Sequence, residues 1–379
     1  MSDETISIGE VASEGPAVAP KPVPLIHKYL EAVVKFEGSD LHMKADVAPR
    51  IRKAGKLRAL TSPPIPNSDM LAMVREILDP EQWHSFGERG AIDIAYALTL
   101  TDRFRMNIFR QRGQISLAAR RINPKIPSYL ELNLPPIFES IANNEQGLVL
   151  ICGITGCGKS TTLAAMIEQI NVQRACHVVT IEDPIEYLYV DKKAYINQRE
   201  IGLDVESYES AIRSLMREDP DVILIGEMRD QKTFSTALQA AETGHLVFST
   251  IHASSAAGAI TRTLELFPTE MHLQIRQALV ANLKAIVYQK LVRSVKPGAD
   301  RVPVVEVMLS SPAVRKYIED GRESELVGVI RNERAAGMID FNDMLAELVQ
   351  QEVIASKEAY AASPNADELR MRMRGIKTS

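Results

Sequence analysis

From residue 25 onward, apolar side chains recur at helical spacing. Ile26, Tyr29, Leu30 and Val33 share one face, which predicts an amphipathic helix ending near Gly38. The pattern then shifts to short alternating runs. SDLHM (39–43) and PRIRKAGKLRAL (49–60) read as strands, the second a hairpin turning at Ala54 and Gly55. A helix is expected over 68–78, and DIAYAL, RFRMNIFRQ and ISLAARRI predict three further strands. Residues 25–121 thus read as a mixed α+β domain with an antiparallel sheet. The proline-rich stretch INPKIPSYLELNLPP (122–136) is the expected interdomain linker. From 137 to 309 helical stretches alternate with four apolar runs, LVLICG, HVVTIED, DVILIGE and LVFSTIH, each ending on a polar or acidic residue. Runs of that kind suit strands buried on both faces of a mainly parallel sheet, with function at the strands' carboxyl ends. Beyond Leu309 the spacing is helical again (313–319, 323–331, 341–351), and the basic end MRMRGIKTS is expected to trail into solvent. Residues 1–24, acidic and then rich in Pro, Ala and Val, read as a disordered or extended leader. The overall class is α/β.

Composition adjusts this picture in three ways. The 379 residues suffice for two domains, and 45% apolar with 25% charged residues is the make-up of a globular chain. A net charge of -5 argues against a dedicated nucleic-acid binder, since phosphate contacts demand a basic surface. The cysteines Cys152, Cys157 and Cys176 form no C-x-x-C pair, which disfavours a structural zinc or a disulfide framework and fits a reducing compartment. No apolar run reaches membrane-spanning length and no signal peptide is apparent, so a cytoplasmic protein with at most peripheral membrane contact is expected.

The candidate chemistry centres on GLVLICGITGCGKSTTLAAMIEQIN (147–171), an apolar strand, a G-x-x-x-x-G-K-S loop and a helix in succession. Glycines there let successive N–H groups face phosphate oxygens, and the helix N-terminus adds its positive end. The candidate nucleotide-binding set is Gly153, Thr155, Gly156, Cys157, Gly158, Lys159, Ser160 and Thr161, with Lys159 reaching the β/γ-phosphates and Ser160 ligating Mg²⁺. Cys157 reads either as an activated thiol at a helix N-terminus or, preferably, as a small side chain filling the loop. DVILIGEMRD (221–230) ends a strand in Glu227, where a Walker-B acid would polarise the attacking water. TIEDPIEY (180–187) places Glu182, Asp183 and Glu186 at another strand end, where a bound cation would stabilise them. Glu182 is a candidate metal ligand. His252, just past LVFSTI, could contact the γ-phosphate and report its loss. In the first domain Arg103, Arg105, Arg120 and Arg121 lie on strands, with Arg105 and Arg121 the named candidates for arginine fingers.

Together these residues resemble the hexameric secretion-superfamily ATPases, specifically the type IV pilus retraction (twitching motility) ATPases of the PilT/PilU kind. The resemblance spans residues 25–351 and rests on GSDLH, GITGCGKSTTLAAMI, TIEDPIEY, REDPDVILIGEMRD and AETGHLVFSTIHASSA. SPAVRKYI (311–318) looks like the helix signature associated with retraction. Ala313, Val314 and Arg315 match its opening, whereas Lys316 and Tyr317 depart from the usual A-I-R-N-L-I. The resemblance implies a PAS-like N-terminal domain joined to a RecA-like P-loop core with a helical C-terminal region (310–379). It implies ATP and Mg²⁺ as ligands, a homohexameric ring, and attachment to an inner-membrane pilus platform protein, with a paralogous retraction ATPase as a further partner. Glu227 would be the catalytic acid, Glu182 and Glu186 would position metal or water, and His252 would sense the γ-phosphate. Assembly ATPases of the superfamily commonly carry a four-cysteine zinc insert, which three unpaired cysteines cannot supply. Retraction is therefore the expected direction, with an assembly or type II secretion ATPase, or an accessory ring subunit, as alternatives.

Overall fold

The computed structural model describes residues 23–375 except 54, 100, 123, 124, 216, 298 and 299. The leader expected over 1–24 lies outside the described residues but for its last two. The chain divides into two compact units, with the boundary between Arg121 and Ile122.

In the first unit the helix His27–Lys35 buries Tyr29, Leu30 and Val33, as its spacing predicts. Six strands follow: β1 (Asp40–Lys44), β2 (Arg50–Lys53), β3 (Lys56–Ala59), β4 (Ala91–Ala97), β5 (Arg103–Gln111) and β6 (Gln114–Arg121). They form one sheet in the order β3-β2-β1-β6-β5-β4, every pairing antiparallel. Leu41, Met43, Met106, Ile108, Leu117 and Ala119 alternate onto one face and pack with Leu30, Val33, Met70 and Val74. A second helix, Asn67–Ile77, lies where expected, and a third, Pro80–Arg89, was not foreseen. It buries only Phe86, and one apolar residue has no period to read. Its start is written instead in the Asp79–Gln82 capping box and Pro80 in the first turn.

The second unit holds a sheet of seven strands: β7 (Gly147–Cys152), β8 (His177–Glu182), β9 (Tyr195–Glu200), β10 (Val222–Ile225), β11 (Leu246–Ile251), β12 (Leu283–Arg293) and β13 (Arg301–Leu309). Their order is β13-β12-β7-β11-β10-β8-β9. All neighbours are parallel except the β12–β13 pair at one edge. Both faces are covered, which is why β7, β10 and β11 are wholly buried runs rather than alternating ones. Leu148 and Leu150 join one core, Val149 and Ile151 the other.

Two sequence expectations are corrected here. The stretch 122–136 is more than a crossing: Tyr129–Leu132 forms a helix with a Ser128–Glu131 capping box, and Leu134 is buried in the core of the second unit. The basic end does not simply trail into solvent either. Ala366–Met373 is a helix, and the Arg372 side chain, only 9% exposed, is held by three acids. Its Nη1 bonds Asp340 Oδ1 at 2.7 Å and also meets Asp343, while Nη2 bonds Glu368 Oε1 at 2.5 Å. Arg331 shares Asp340, at 3.0 Å. A planar guanidinium can serve several carboxylates at once, which solvent would do less well for a buried Asp340.

Removing one partner of a buried ion network leaves the rest uncompensated. Arg372→Met is therefore expected to lower unfolding free energy by about 3 kcal/mol, read as a reduced denaturant midpoint. Arg374→Met, at an exposed position, should leave the midpoint unchanged.

Candidate functional site

The parallel strand order brings the carboxyl ends of β7, β8, β10 and β11 to one rim. Gly226 N–H donates to Ile181 O at 2.8 Å, and Met228 N–H to Thr250 O at 3.0 Å, so the ends stay joined past the strands themselves. The buried Thr250 hydroxyl adds a bond to Gly226 O at 2.7 Å. Over this rim lies a cavity of about 480 Å³, wholly within the second unit. Thr155, Gly156, Gly158, Lys159, Ser160, Thr161, Glu182, Glu186, Glu227 and His252 line it, residues read as one site from four separated stretches. The loop enters the helix Lys159–Gln173 through Gly158, whose φ of +89° no other residue adopts without strain. The first N–H groups of that helix have no intrahelical acceptor and face an anion naturally.

Lys159 Nζ donates to Gly153 O at 2.9 Å and Ile154 O at 3.2 Å, so the ammonium is folded back over the loop's own carbonyls. His252 bridges the loop to the acid. Nδ1 lies 3.1 Å from Gly153 O and Nε2 3.0 Å from Glu227 Oε1. A carbonyl and a carboxylate can only accept, so the ring is the donor in either contact. Arg229 donates to Glu227 Oε2 at 2.7 Å. The Arg229 hydrogen bond, with Arg229, His252 and Lys159 charges around it, holds the Glu227 carboxyl below its ordinary range. Glu182 is the opposite case. Burial pushes it up to about 7 despite bonds donated by the Thr180 hydroxyl, the Gln198 amide and the Glu186 backbone.

Among the described residues no group of three His, Cys, Asp or Glu side chains could cage a metal by itself. Mg²⁺ in triphosphate sites rests on one or two protein oxygens plus phosphates and waters, so the test is whether such oxygens face the cavity. They do: Ser160 lines it, as does Glu182, an acid short of positive charge. The donor set fits the ion.

Three expectations need correction or relocation. Cys157 does not line the cavity. The residue is 2% exposed, and burial raises the thiol, which makes it a packing side chain and leaves only its backbone to the loop. Gly153 likewise contributes its carbonyl rather than a cavity wall. In the first unit Arg121 is not a free cation: its guanidinium forks onto Asp102 Oδ1 at 3.1 and 2.6 Å, while Arg120 bonds Asp40 at 2.8 Å. Arg105 stands exposed on β5. The reading missed Leu291 and Arg301, which line the cavity from β12 and β13, because neither strand was recognised. It also missed Glu306 on β13, 6% exposed, whose Oε1 accepts from Ala256 N–H at 2.7 Å, just past the His252 loop.

Residues 98–376 match the family described as type II/IV secretion system protein. The chain is 37% identical over 334 residues to the type IV pilus retractation ATPase PilT of Pseudomonas aeruginosa, covering 88% of this chain and 96% of that protein. It is equally 37% identical to the type IV pilus ATPase PilU of the same organism, covering 92% and 91% respectively. A crystal structure of the pilus retraction motor PilT with bound ADP superposes with a TM-score of 0.84 at 35% identity, covering 91% of this chain and 98% of that one.

Glu306 makes the stability of this region depend on pH. Burial raises its carboxyl from 4.5 to about 7, so between those values the folded chain holds a proton that the unfolded chain has lost. Stability then falls as pH climbs through that window, by about 3 kcal/mol in all. Glu306→Gln keeps the acceptor for Ala256 and removes the charge. Its denaturant midpoint is expected to fall less steeply from about pH 5 to about pH 8 than that of the unsubstituted chain, Glu182 remaining as a second raised carboxyl, and to exceed that of the unsubstituted chain at the upper end.

Proposed function

The chain belongs to the type II/IV secretion system protein family, and we propose that within it this protein is an Mg²⁺-dependent ATPase motor that retracts type IV pili. The observation that carries this is the convergence of Lys159, Glu227 and His252 on one cavity, in a chain alike to retraction motors along nearly its whole length. Six copies would form a ring that docks on an inner-membrane platform protein at the pilus base. A peripheral, cytoplasmic position agrees with the described residues, among which no helix is long and apolar enough to cross a membrane.

In the reaction, Lys159 would leave the carbonyls of Gly153 and Ile154 for the β/γ-phosphates, exchanging two neutral acceptors for a charged one. Ser160 and Glu182 would hold Mg²⁺, which neutralises phosphate charge when bound. Glu186 would order water beside it. Glu227, kept ionised by its neighbours, would accept the proton of the attacking water once one of its two partners swings aside. His252 holds Gly153 and Glu227 together. A γ-phosphate competing for its Nε2 proton would break that bridge, and phosphate release would restore it. The alternation would open and close the cleft, turning differential binding into motion.

Lys159→Ala should abolish phosphate release in a purified chain while leaving its melting temperature unchanged. Wild-type turnover in that variant would defeat the site assignment. Glu227→Gln should bind ATP yet hydrolyse it about 100 to 10,000 times more slowly, the usual range for losing a general base. Deleting the gene should abolish twitching and leave excess surface pili, whereas loss of pili would mean assembly. The departure of Lys316 and Tyr317 from the helix signature associated with retraction supports a second reading, an accessory ring subunit. Nucleotide binding without phosphate release, even beside a second motor, would select it.

A further inference from the structure

β7 ends at Cys152, paired with Tyr288, but its neighbour β12 continues to Arg293. Beyond Tyr288 the phosphate loop takes the place a longer β7 would have held. It comes so close that a Cβ on Gly153 would lie 2.4 Å from Gln289 O, and one on Gly158 would lie 2.9 Å from Gln289 Nε2. The Gln289 side chain is 2% exposed, and both ends of its amide are used. Nε2 donates to Cys157 O at 2.8 Å, and Oε1 accepts from the Thr162 hydroxyl at 2.9 Å. Cys157 O can only accept, so the amide's orientation is fixed by its partner. A single buried side chain thus ties the loop's crest to the first turn of the helix that follows it.

We propose that Gln289 is a positioning residue for the phosphate loop: it holds the loop in its nucleotide-ready shape from beneath, without touching nucleotide. This rests on the reading of that loop as the phosphate site. Without Gln289, a buried carbonyl and a buried hydroxyl lose their partners, a loss the loop can relieve only by lifting toward water. The lifted loop must be re-ordered on binding, which weakens nucleotide without changing any group that contacts it.

The three cysteines report the loop directly. Cys152 is buried on β7, Cys157 is buried in the loop, and Cys176 is half-exposed elsewhere. Timed N-ethylmaleimide labelling of the full chain, read by peptide mass, should modify Cys176 first and leave the other two protected. In near-isosteric Gln289→Met, Cys157 labelling is expected to accelerate at least about tenfold and the ADP dissociation constant to rise about tenfold, the scale of one lost buried hydrogen bond. Cys152 should stay protected. Gln289→Leu, of similar size with neither a donor for Cys157 O nor an acceptor for Thr162, should expose Cys157 as well. Continued protection of Cys157 in both variants overturns the proposal. So does acceleration of Cys152 together with Cys157, the mark of general loosening, or an unchanged ADP affinity. The labelling arm needs neither hydrolysis nor pili, so a failed motor assignment and a failed loop brace give different results.

Discussion

The second unit depends on a near-collision between two pieces of backbone. The loop after β7 runs against β12 so closely that Gly153 has no room for a side chain. From that approach the rest follows in sequence. The loop must turn at once, and Gly158 supplies the left-handed residue that starts the helix at Lys159. The helix then points its unpaired N–H groups over the rim where β8, β10 and β11 also end. Lys159, Glu227 and His252 meet because strands of one direction finish on one side, and because the loop's first carbonyl, on Gly153, is close enough to engage both a lysine and a histidine.

Charge around that rim is divided between acids of opposite character. Glu227 sits among cations and stays ionised, ready to take a proton. Glu182, a few residues past Val178 on the adjoining strand, is raised by burial to about 7. Both are strand-end carboxylates in the sequence, indistinguishable by type or spacing. Environment separates them, and with it the parts they can play.

Much of this was legible in the chain. β7, β10 and β11 announced themselves as unbroken apolar runs, the β2–β3 hairpin by its turn, and the loop by a spacing few other structures use. What escaped did so for physical reasons. β12 follows the helix His272–Asn282 with no breaker between them, so its apolar residues read as a continuation. β9 is polar and half-exposed, held by pairing to β8 rather than by a face of its own. Gln289 carries no signal at all, since an amide in a strand is ordinarily a solvated side chain. Arg121 looked available because a sequence lists cations without their partners, and Asp102 lies far along the chain from it.

The ion network around Arg372 bears on how the molecule is made. Asp340 is almost fully buried and Asp343 mostly so; Arg331 reaches the first and Arg334 the second, but of these arginines it is Arg372 that meets Asp340, Asp343 and Glu368 together. During synthesis the strands, the loop and the cavity all leave the ribosome before residue 372 does. The second unit can gather its sheet early, and this ion network closes only once that arginine has emerged.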